Sequence, residues 1–222
     1  MHIGLLAGIG PAATDFYYRG LIDRHVAGGI PLDLTMAHAD VREMSRNLVG
    51  NNPQRQAEIF AGLAARLKAA GAQAVAITSM GGHFCVNEFM AISPLPVLNA
   101  IPAVDAALAK GRFRKIGILG TRTVMESHLY GGIPSVEIVP TQGTALERVH
   151  ENYVAMATIG KVTEAQRQVF FDEGRELCAR GAEAIMLGGT DLFLAFAGHD
   201  PGFPVIDCAD IHVDAIYQKS AV

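Results

Sequence analysis

Residues 181–191 read GAEAIMLGGTD, an apolar run of strand length that lies between glycines. Such a run, bounded by turn-forming residues, predicts a buried strand that enters a turn and then a helix. Residues 71–79 read GAQAVAITS and have the same shape, 110 residues earlier in the chain. The same strand and turn are therefore predicted twice.

Two further pairs of segments repeat at nearly the same offset and in the same order. Residues 3–8, IGLLAG, return as IGILGT at 116–121, and residues 95–100, LPVLNA, return as FPVIDC at 203–208. Three matched pairs in one order indicate an internal duplication of one α/β unit. In that duplication Ser79 and Gly189 are equivalent positions, each at the carboxyl end of a predicted strand.

Predicted strands alternate with predicted helices along the whole chain, which favours parallel sheets covered by helices. The strands are expected at 3–9, 32–37, 74–78, 97–100, from 115, at 136–139, in the apolar run before Gly188 and at 205–208, and the helices at 12–26, 51–70, 84–90, 101–109, 146–159, 164–180 and 211–219. We predict two pseudo-symmetric α/β lobes, one of residues 1–101 and 207–222 and one of 102–206, each a mostly parallel sheet flanked by helices. The functional site is expected in the cleft between the lobes, because ligands of open α/β sheets bind beyond the carboxyl ends of the strands.

The composition excludes several classes of function. The 222 residues are 50% hydrophobic and 18% charged, with a net charge of -4 and no basic block, so no nucleic-acid partner and no membrane association are expected. No signal peptide is visible at the N-terminus, which makes the cytoplasm the expected location. Cys85, Cys178 and Cys208 lack metal-ligand spacing, so neither a metal site nor a disulfide framework is predicted.

The loops that follow the predicted strands are rich in hydroxyls and glycines. Hydroxyls and backbone N–H groups at helix starts can hold a carboxylate, although serine and threonine also cap helices routinely. The Gly8-Ile9-Gly10 turn lacks the third glycine of a dinucleotide fingerprint, so no cofactor is predicted. The candidate binding residues of these loops are Gly8, Gly10, Thr14, Gly81, Thr121, Thr123 and Thr190, beside the hydroxyls of Thr78 and Ser79.

Four other side chains could carry chemistry or hold a substrate carboxylate. His83 and Asp191 follow the two equivalent strand ends and could act as acid/base groups, or simply lie at helix starts. Arg42 and Lys161 are candidate carboxylate clamps, the alternative being solvated surface charge.

With these motifs laid out, the chain resembles the aspartate/glutamate racemase family over nearly its whole length. The similarity rests on residues 3–14, 116–125, 181–191 and 207–212. It implies a two-lobed fold, a small carboxylate or amino acid as ligand, cofactor-independent isomerase chemistry and a homodimer. It also implies that Ser79 and Gly189 stand where family members commonly carry two catalytic cysteines.

Neither of these two positions holds a thiol, so the resemblance implies altered acid/base residues. A cofactor-independent racemase removes a proton on one face of the substrate and returns one on the other. His83 and Asp191, with Cys85 as a further candidate, would replace the two thiols. The alternatives are a non-racemising decarboxylase or cis-trans isomerase, or an inactive ligand-binding homologue in which Gly81, Gly82 and Gly189 leave room for a larger ligand.

Overall fold

The computed structural model describes residues 1–221 and divides into two compact units. The first unit comprises Met1–Asn99 and the chain from His212 onward, and the second comprises Ala100–Ile211. These boundaries lie two and five residues from the lobe boundaries expected at 101/102 and 206/207. The second boundary falls within a helix, Cys208–Ser220.

The first unit contains a four-stranded parallel sheet in the order β2-β1-β3-β4. Its strands are β1 (Ile3–Ala7), β2 (Leu34–His38), β3 (Ala74–Ile77) and β4 (Val97–Leu98). Its helices are α1 (Pro11–Gly28), α2 (Val41–Val49), α3 (Pro53–Ala69) and α4 (Val86–Ile92), the last preceded by a 3₁₀ turn at Gly81–Cys85.

The second unit repeats this arrangement, with the strand order β6-β5-β7-β8 and all strands parallel. Its strands are β5 (Lys115–Leu119), β6 (Glu137–Val139), β7 (Ala184–Leu187) and β8 (Val205–Asp207). Its helices are α5 (Ala100–Gly111), α6 (Arg122–Glu126), α7 (Gly143–Ile159), α8 (Glu164–Ala179) and α9 (Phe193–Phe196), with a 3₁₀ turn at Thr190–Leu192, and α10 is Cys208–Ser220. The predicted fold class, α/β with two parallel sheets flanked by helices, is confirmed.

Each unit turns from a long helix into its third strand through the same glycine cap. Gly71 after α3 and Gly181 after α8 have φ of 96° and 103°, a left-handed conformation that favours glycine. The N–H of the following alanine donates to the carbonyl of Leu67 in one unit and of Leu177 in the other, at 3.0 Å in both. This is the Schellman arrangement, which satisfies the last carbonyls of a helix.

A second pair of glycines lets these helices lie directly on the central strands. A Cβ added to Gly4 of β1 would stand 3.1 Å from the Cβ of Leu67, and one added to Gly117 of β5 would stand 3.1 Å from the Cβ of Leu177. Leucine Cβ atoms are fixed to the helix backbone and cannot rotate away. The close approach of helix and strand therefore requires glycine at both positions.

Three local elements differ from the sequence-based predictions. Helix α2 was not predicted, because it is short and mostly polar; the Asp40 side chain caps it by accepting from the N–H groups of Arg42 and Glu43. The segment after β5, expected to be a loop, contains α6. Helix α10 begins at Cys208 rather than at residue 211, because the Asp207 carboxylate accepts from the N–H groups of Ala209 and Asp210.

An irregular turn follows α6 in the second unit. His128, Leu129 and Tyr130 have φ between 51° and 60°, and Gly131 continues the same left-handed path. Leu129 is fully buried, so the packing of its side chain helps to hold a backbone conformation that L-residues otherwise avoid. Over residues 1–221, no helix combines the length and the hydropathy that a membrane crossing requires.

We predict that Gly117→Ala and Gly4→Ala each lower the free energy of unfolding by about 1–3 kcal/mol, because the added methyl overpacks the helix–strand contact. Urea unfolding followed by circular dichroism measures this. The control is Gly62→Ala on α3, where a Cβ would meet nothing within 4 Å. That control should be neutral or slightly stabilising. Equal stability of all three variants would contradict the packing argument.

Candidate active site

The first unit's strand ends are tied together by two threonine hydroxyls. Thr14 Oγ1 accepts from the Gly8 N–H at 2.9 Å and donates to the Gly10 carbonyl at 3.1 Å. Thr78 Oγ1 donates to the Leu6 carbonyl at 2.9 Å and lies 3.4 Å from Thr14 Oγ1. The Thr14 hydroxyl therefore holds the loop after β1 in shape. An anion bound at this loop would be contacted by backbone groups.

Gly8 is required by both conformation and space. Its φ is 85°, and a Cβ there would lie 2.3 Å from His38 Nδ1 and 2.6 Å from the Ala39 carbonyl oxygen. The end of β2 thus closes directly over the loop after β1.

Ser79 and His83 lie at the end of β3, in the tight turn that starts α4. The Ser79 hydroxyl accepts from the Gly82 N–H at 3.3 Å, and His83 Nδ1 lies 2.8 Å from the Ser79 carbonyl oxygen. A carbonyl can only accept, so Nδ1 carries the proton and Nε2 is the acceptor of the neutral ring. Through Nδ1, His83 thus holds the Ser79 backbone rather than activating its hydroxyl.

Burial keeps His83 neutral. The side chain is 1% exposed, and desolvation lowers its pKa to about 4. At neutral pH the imidazole is therefore uncharged rather than a cation.

A second buried histidine, His212 of α10, packs against the first. The two rings meet edge to face with centroids 5.6 Å apart. His212 Nε2 donates to the Leu98 carbonyl at 2.8 Å, so its Nδ1 accepts from the Tyr17 hydroxyl, also at 2.8 Å. Burial, with a smaller contribution from His83, lowers the pKa of His212 to about 3. Sequence reasoning did not single out His212 as a site residue, because a lone histidine on a helix gives no signal.

Burial disfavours the thiolate form of the three cysteines. It raises the pKa of Cys85 to about 12, raises that of Cys208 well above its ordinary value, and also raises that of Cys178. Cys85 is fully buried, with its Sγ 3.5 Å from the Gly82 carbonyl oxygen. This burial disfavours Cys85 as a replacement for a missing thiol.

The second unit's strand end has the same backbone and different side chains. The Thr78 N–H donates to Leu6 in the first unit, and the Gly188 N–H donates to Leu119 in the second. This places Gly188 where Thr78 stands, and Gly189 where Ser79 stands. A Cβ at Gly188 would lie 2.6 Å from Val124 Cγ1, because α6 packs against this strand end.

The position of Gly189 is filled by a tyrosine from α7. A Cβ at Gly189 would lie 2.3 Å from Cε2, 2.6 Å from Cζ and 2.7 Å from the hydroxyl oxygen of Tyr153. The Tyr153 hydroxyl donates to Asp191 Oδ2 at 3.1 Å. Both side chains are buried, at 7% and 6% exposure. Tyr153 was not predicted as a site residue.

The expectation that three glycines leave room for a larger ligand is corrected at two of them. Tyr153 occupies the space at Gly189, and a Cβ at Gly82 would lie 2.8 Å from Ile77 Cγ2. At Gly81 the nearest atom is Ser79 Oγ, at 3.6 Å, which is an ordinary contact. Gly81 is thus the one of the three where a side chain would fit.

The loop after β5 is used mainly for capping. Thr121 Oγ1 accepts from the Val124 N–H at 3.4 Å as the N-cap of α6, while Thr123 is half-buried within that helix. Arg122 forms an ion pair with Glu147, and its backbone N–H donates to His150 Nδ1. Thr121 thus caps a helix, which was the alternative to holding a carboxylate.

The remaining candidates differ in exposure. Thr190 is buried beside Asp191 at the start of the second unit's 3₁₀ turn. Arg42, in the first turn of α2, and Lys161, between α7 and α8, are both exposed. No group of three or more metal-ligating side chains occurs in the described part of the chain.

Comparison with known proteins decides the family. A sequence model of Asp/Glu/hydantoin racemases matches residues 6–216, a segment that includes β3, β7 and the turns that follow them. The chain belongs to the Asp/Glu/hydantoin racemase family. The resemblance to aspartate/glutamate racemases is thereby confirmed.

Solved structures share the racemase fold. A proposed Asp/Glu racemase from Yersinia pestis is 26% identical, with a TM-score of 0.85 and 99% coverage of both chains. An aspartate racemase homologue from Pyrococcus horikoshii is 22% identical, with a TM-score of 0.82, and covers 100% of this chain and 99% of its own. The glutamate racemase from Francisella tularensis, solved with D-glutamate, is 15% identical, with a TM-score of 0.66 and coverages of 98% and 80%.

We predict that this racemase-family protein loses stability as the pH falls from 7 to 5. In the unfolded chain histidine titrates near 6.5, whereas His83 and His212 stay neutral when folded until about pH 4 and 3. The unfolded state therefore binds more protons over this range, which costs on the order of 2 kcal/mol per histidine. Urea unfolding at a series of pH values measures the slope.

The matched variants are His212→Gln and His199→Gln, His199 being an exposed histidine. Asp207 acts in the opposite sense, since burial raises its pKa to about 6 and favours the folded state below that pH. The prediction therefore concerns how the pH dependence of the free energy of unfolding differs between variants, not its slope in the wild type alone. His212→Gln should reduce the loss of stability between pH 7 and pH 5, and His199→Gln should not. Identical slopes in both would show that His212 is not a buried neutral group.

Proposed function

We propose that this protein is a cofactor-independent isomerase that moves the proton on the carbon next to a carboxylate in a small amino acid or related acid. Family membership supports the racemase-type chemistry. The observation that carries the proposal for this chain is that its two equivalent strand ends each present a buried proton-transfer group. These are His83, four residues after Ser79, and Asp191, two residues after Gly189.

The proposed step starts with one of the two groups protonated and the other deprotonated: neutral His83 with protonated Asp191 in one direction, and protonated His83 with ionised Asp191 in the other. One group takes the substrate's α-proton as the C–H bond breaks, and the other returns a proton to the opposite face of the resulting carbanion. His83 can take a proton because its ring is neutral at working pH. Asp191 can do so as a carboxylate and can return one when protonated. Ser79 and Gly189 mark the positions of the two family thiols and take no proton themselves.

Backbone and hydroxyl groups around the strand ends would hold the substrate's carboxylate. Gly8 and Gly10 belong to a loop that Thr14 keeps in shape; the Gly8 N–H is bonded to Thr14 Oγ1, and the backbone at Gly10 would contact the carboxylate. A Cβ at Gly81 would make an ordinary contact with Ser79 Oγ, at 3.6 Å, so the turn has room there for a ligand atom. Thr121, Thr123 and Thr190 lie at or just after the second unit's strand ends, and the exposed Arg42 and Lys161 are the candidate cations for a substrate carboxylate.

We predict that His83→Gln and Asp191→Asn each reduce interconversion of the preferred enantiomers by at least about 10²-fold, because each removes one of two groups that must exchange a proton. Chiral chromatography after incubation with L- and D-aspartate, L- and D-glutamate and small hydroxy or dicarboxylic acids gives the rates. His199→Gln is the control and should keep the wild-type rate.

If both variants keep the wild-type rate, the assignment of these two groups is overturned. A folded wild-type protein that binds one of the acids without converting it would point to a ligand-binding homologue instead.

A further inference from the structure

The glycine at position 189 is explained by space rather than by backbone conformation. Its φ and ψ are -124° and 126°, an extended conformation that any residue adopts. What excludes a side chain is the ring of Tyr153, three of whose atoms would lie within 2.7 Å of the added Cβ. Position 189 and position 153 are therefore a matched pair, in which one residue can be large only if the other is small.

The same tyrosine contacts the only carboxylate of this strand-end turn. Its hydroxyl donates to Asp191 Oδ2 at 3.1 Å, inside a buried environment. Burial and the neighbouring Asp191 raise the pKa of Tyr153 well above its ordinary value, so the phenol keeps its proton and remains a donor. A donor to a carboxylate favours the charged form of that carboxylate and fixes its orientation.

We propose that Tyr153 is the positioning residue of the second strand end: its ring replaces a side chain at position 189, and its hydroxyl holds the Asp191 carboxyl group in one orientation for proton transfer. The part that concerns Asp191 rests on the function proposed above. The acid/base group of this unit is thereby moved from position 189 to position 191. A cysteine introduced at 189 would meet the Tyr153 ring, so restoring a thiol there requires a smaller residue at 153.

The hydroxyl is tested with Tyr153→Phe, which keeps the ring. The direct readout is the ¹³C NMR titration of the Asp191 carboxyl carbon in protein labelled at aspartate, assigned with Asp191→Asn. We expect the midpoint to rise by about one pH unit or more when the hydroxyl is lost. An unchanged midpoint would overturn the positioning role, and this result does not depend on any substrate being known.

In the isomerase assay, Tyr153→Phe should lower kcat by about 10- to 100-fold with little change in KM, and should move the acid limb of the pH profile upward with the Asp191 midpoint. A purely structural tyrosine would leave the pH profile where it is. If the wild type converts no substrate while the NMR midpoint moves as expected, the proposed function fails and the positioning of Asp191 stands.

The space-filling role is tested by a double-mutant cycle on thermal stability. Gly189→Ala alone should lower Tm by roughly 2–10 °C, because it forces the tyrosine ring aside. In the Tyr153→Ala background the same substitution should cost much less. Gly81→Ala, at a turn with room for a Cβ, is the matched control and should leave Tm unchanged. Additive effects, or a Gly189→Ala protein as stable as the control, would overturn the pairing.

Discussion

The fold depends on a contact that is made twice, between a glycine in a central strand and a leucine on the helix that leads to the next strand. Gly4 lies under Leu67, and Gly117 lies under Leu177. Because the helix can approach so closely, its left-handed glycine cap, at Gly71 or Gly181, ends the helix where the next strand can pair with the central strand. The carboxyl ends of β3 and β7 are thereby set beside those of β1 and β5, where the candidate groups lie.

On this repeated scaffold the two strand ends have diverged in chemistry. The first carries a hydroxyl, Ser79, backed by two neutral histidines, whereas the second carries no side chain at Gly189 and a tyrosine–aspartate pair in its place. Burial determines the protonation state at both ends. It keeps the imidazoles, the phenol and the thiols neutral. A duplicated backbone thus supports two different sets of buried polar groups.

The sequence was sufficient for the fold because the duplication left matched strand and turn segments, such as 71–79 and 181–191, that periodicity can identify. It also predicted His83 and Asp191 as candidate groups, since both follow those strands within a few residues. Tyr153 could not be found this way. It lies on α7 among Leu146, Val149 and Met156, at the spacing of an ordinary buried helix face. Its relation to Gly189 exists only in three dimensions. Helix α2 was missed for a different reason, because it is only nine residues long and its start is set by the Asp40 cap.

The central claim is that a base remains in this racemase-family chain although neither strand-end position carries a thiol. The most direct measurement is ¹H NMR of the wild-type protein in D₂O with each enantiomer of aspartate and glutamate and with small dicarboxylates. The account predicts that the α-proton signal of at least one compound is lost at a rate proportional to enzyme concentration, starting from either enantiomer. Retention of every α-proton signal by a folded protein that binds one of these compounds would contradict it.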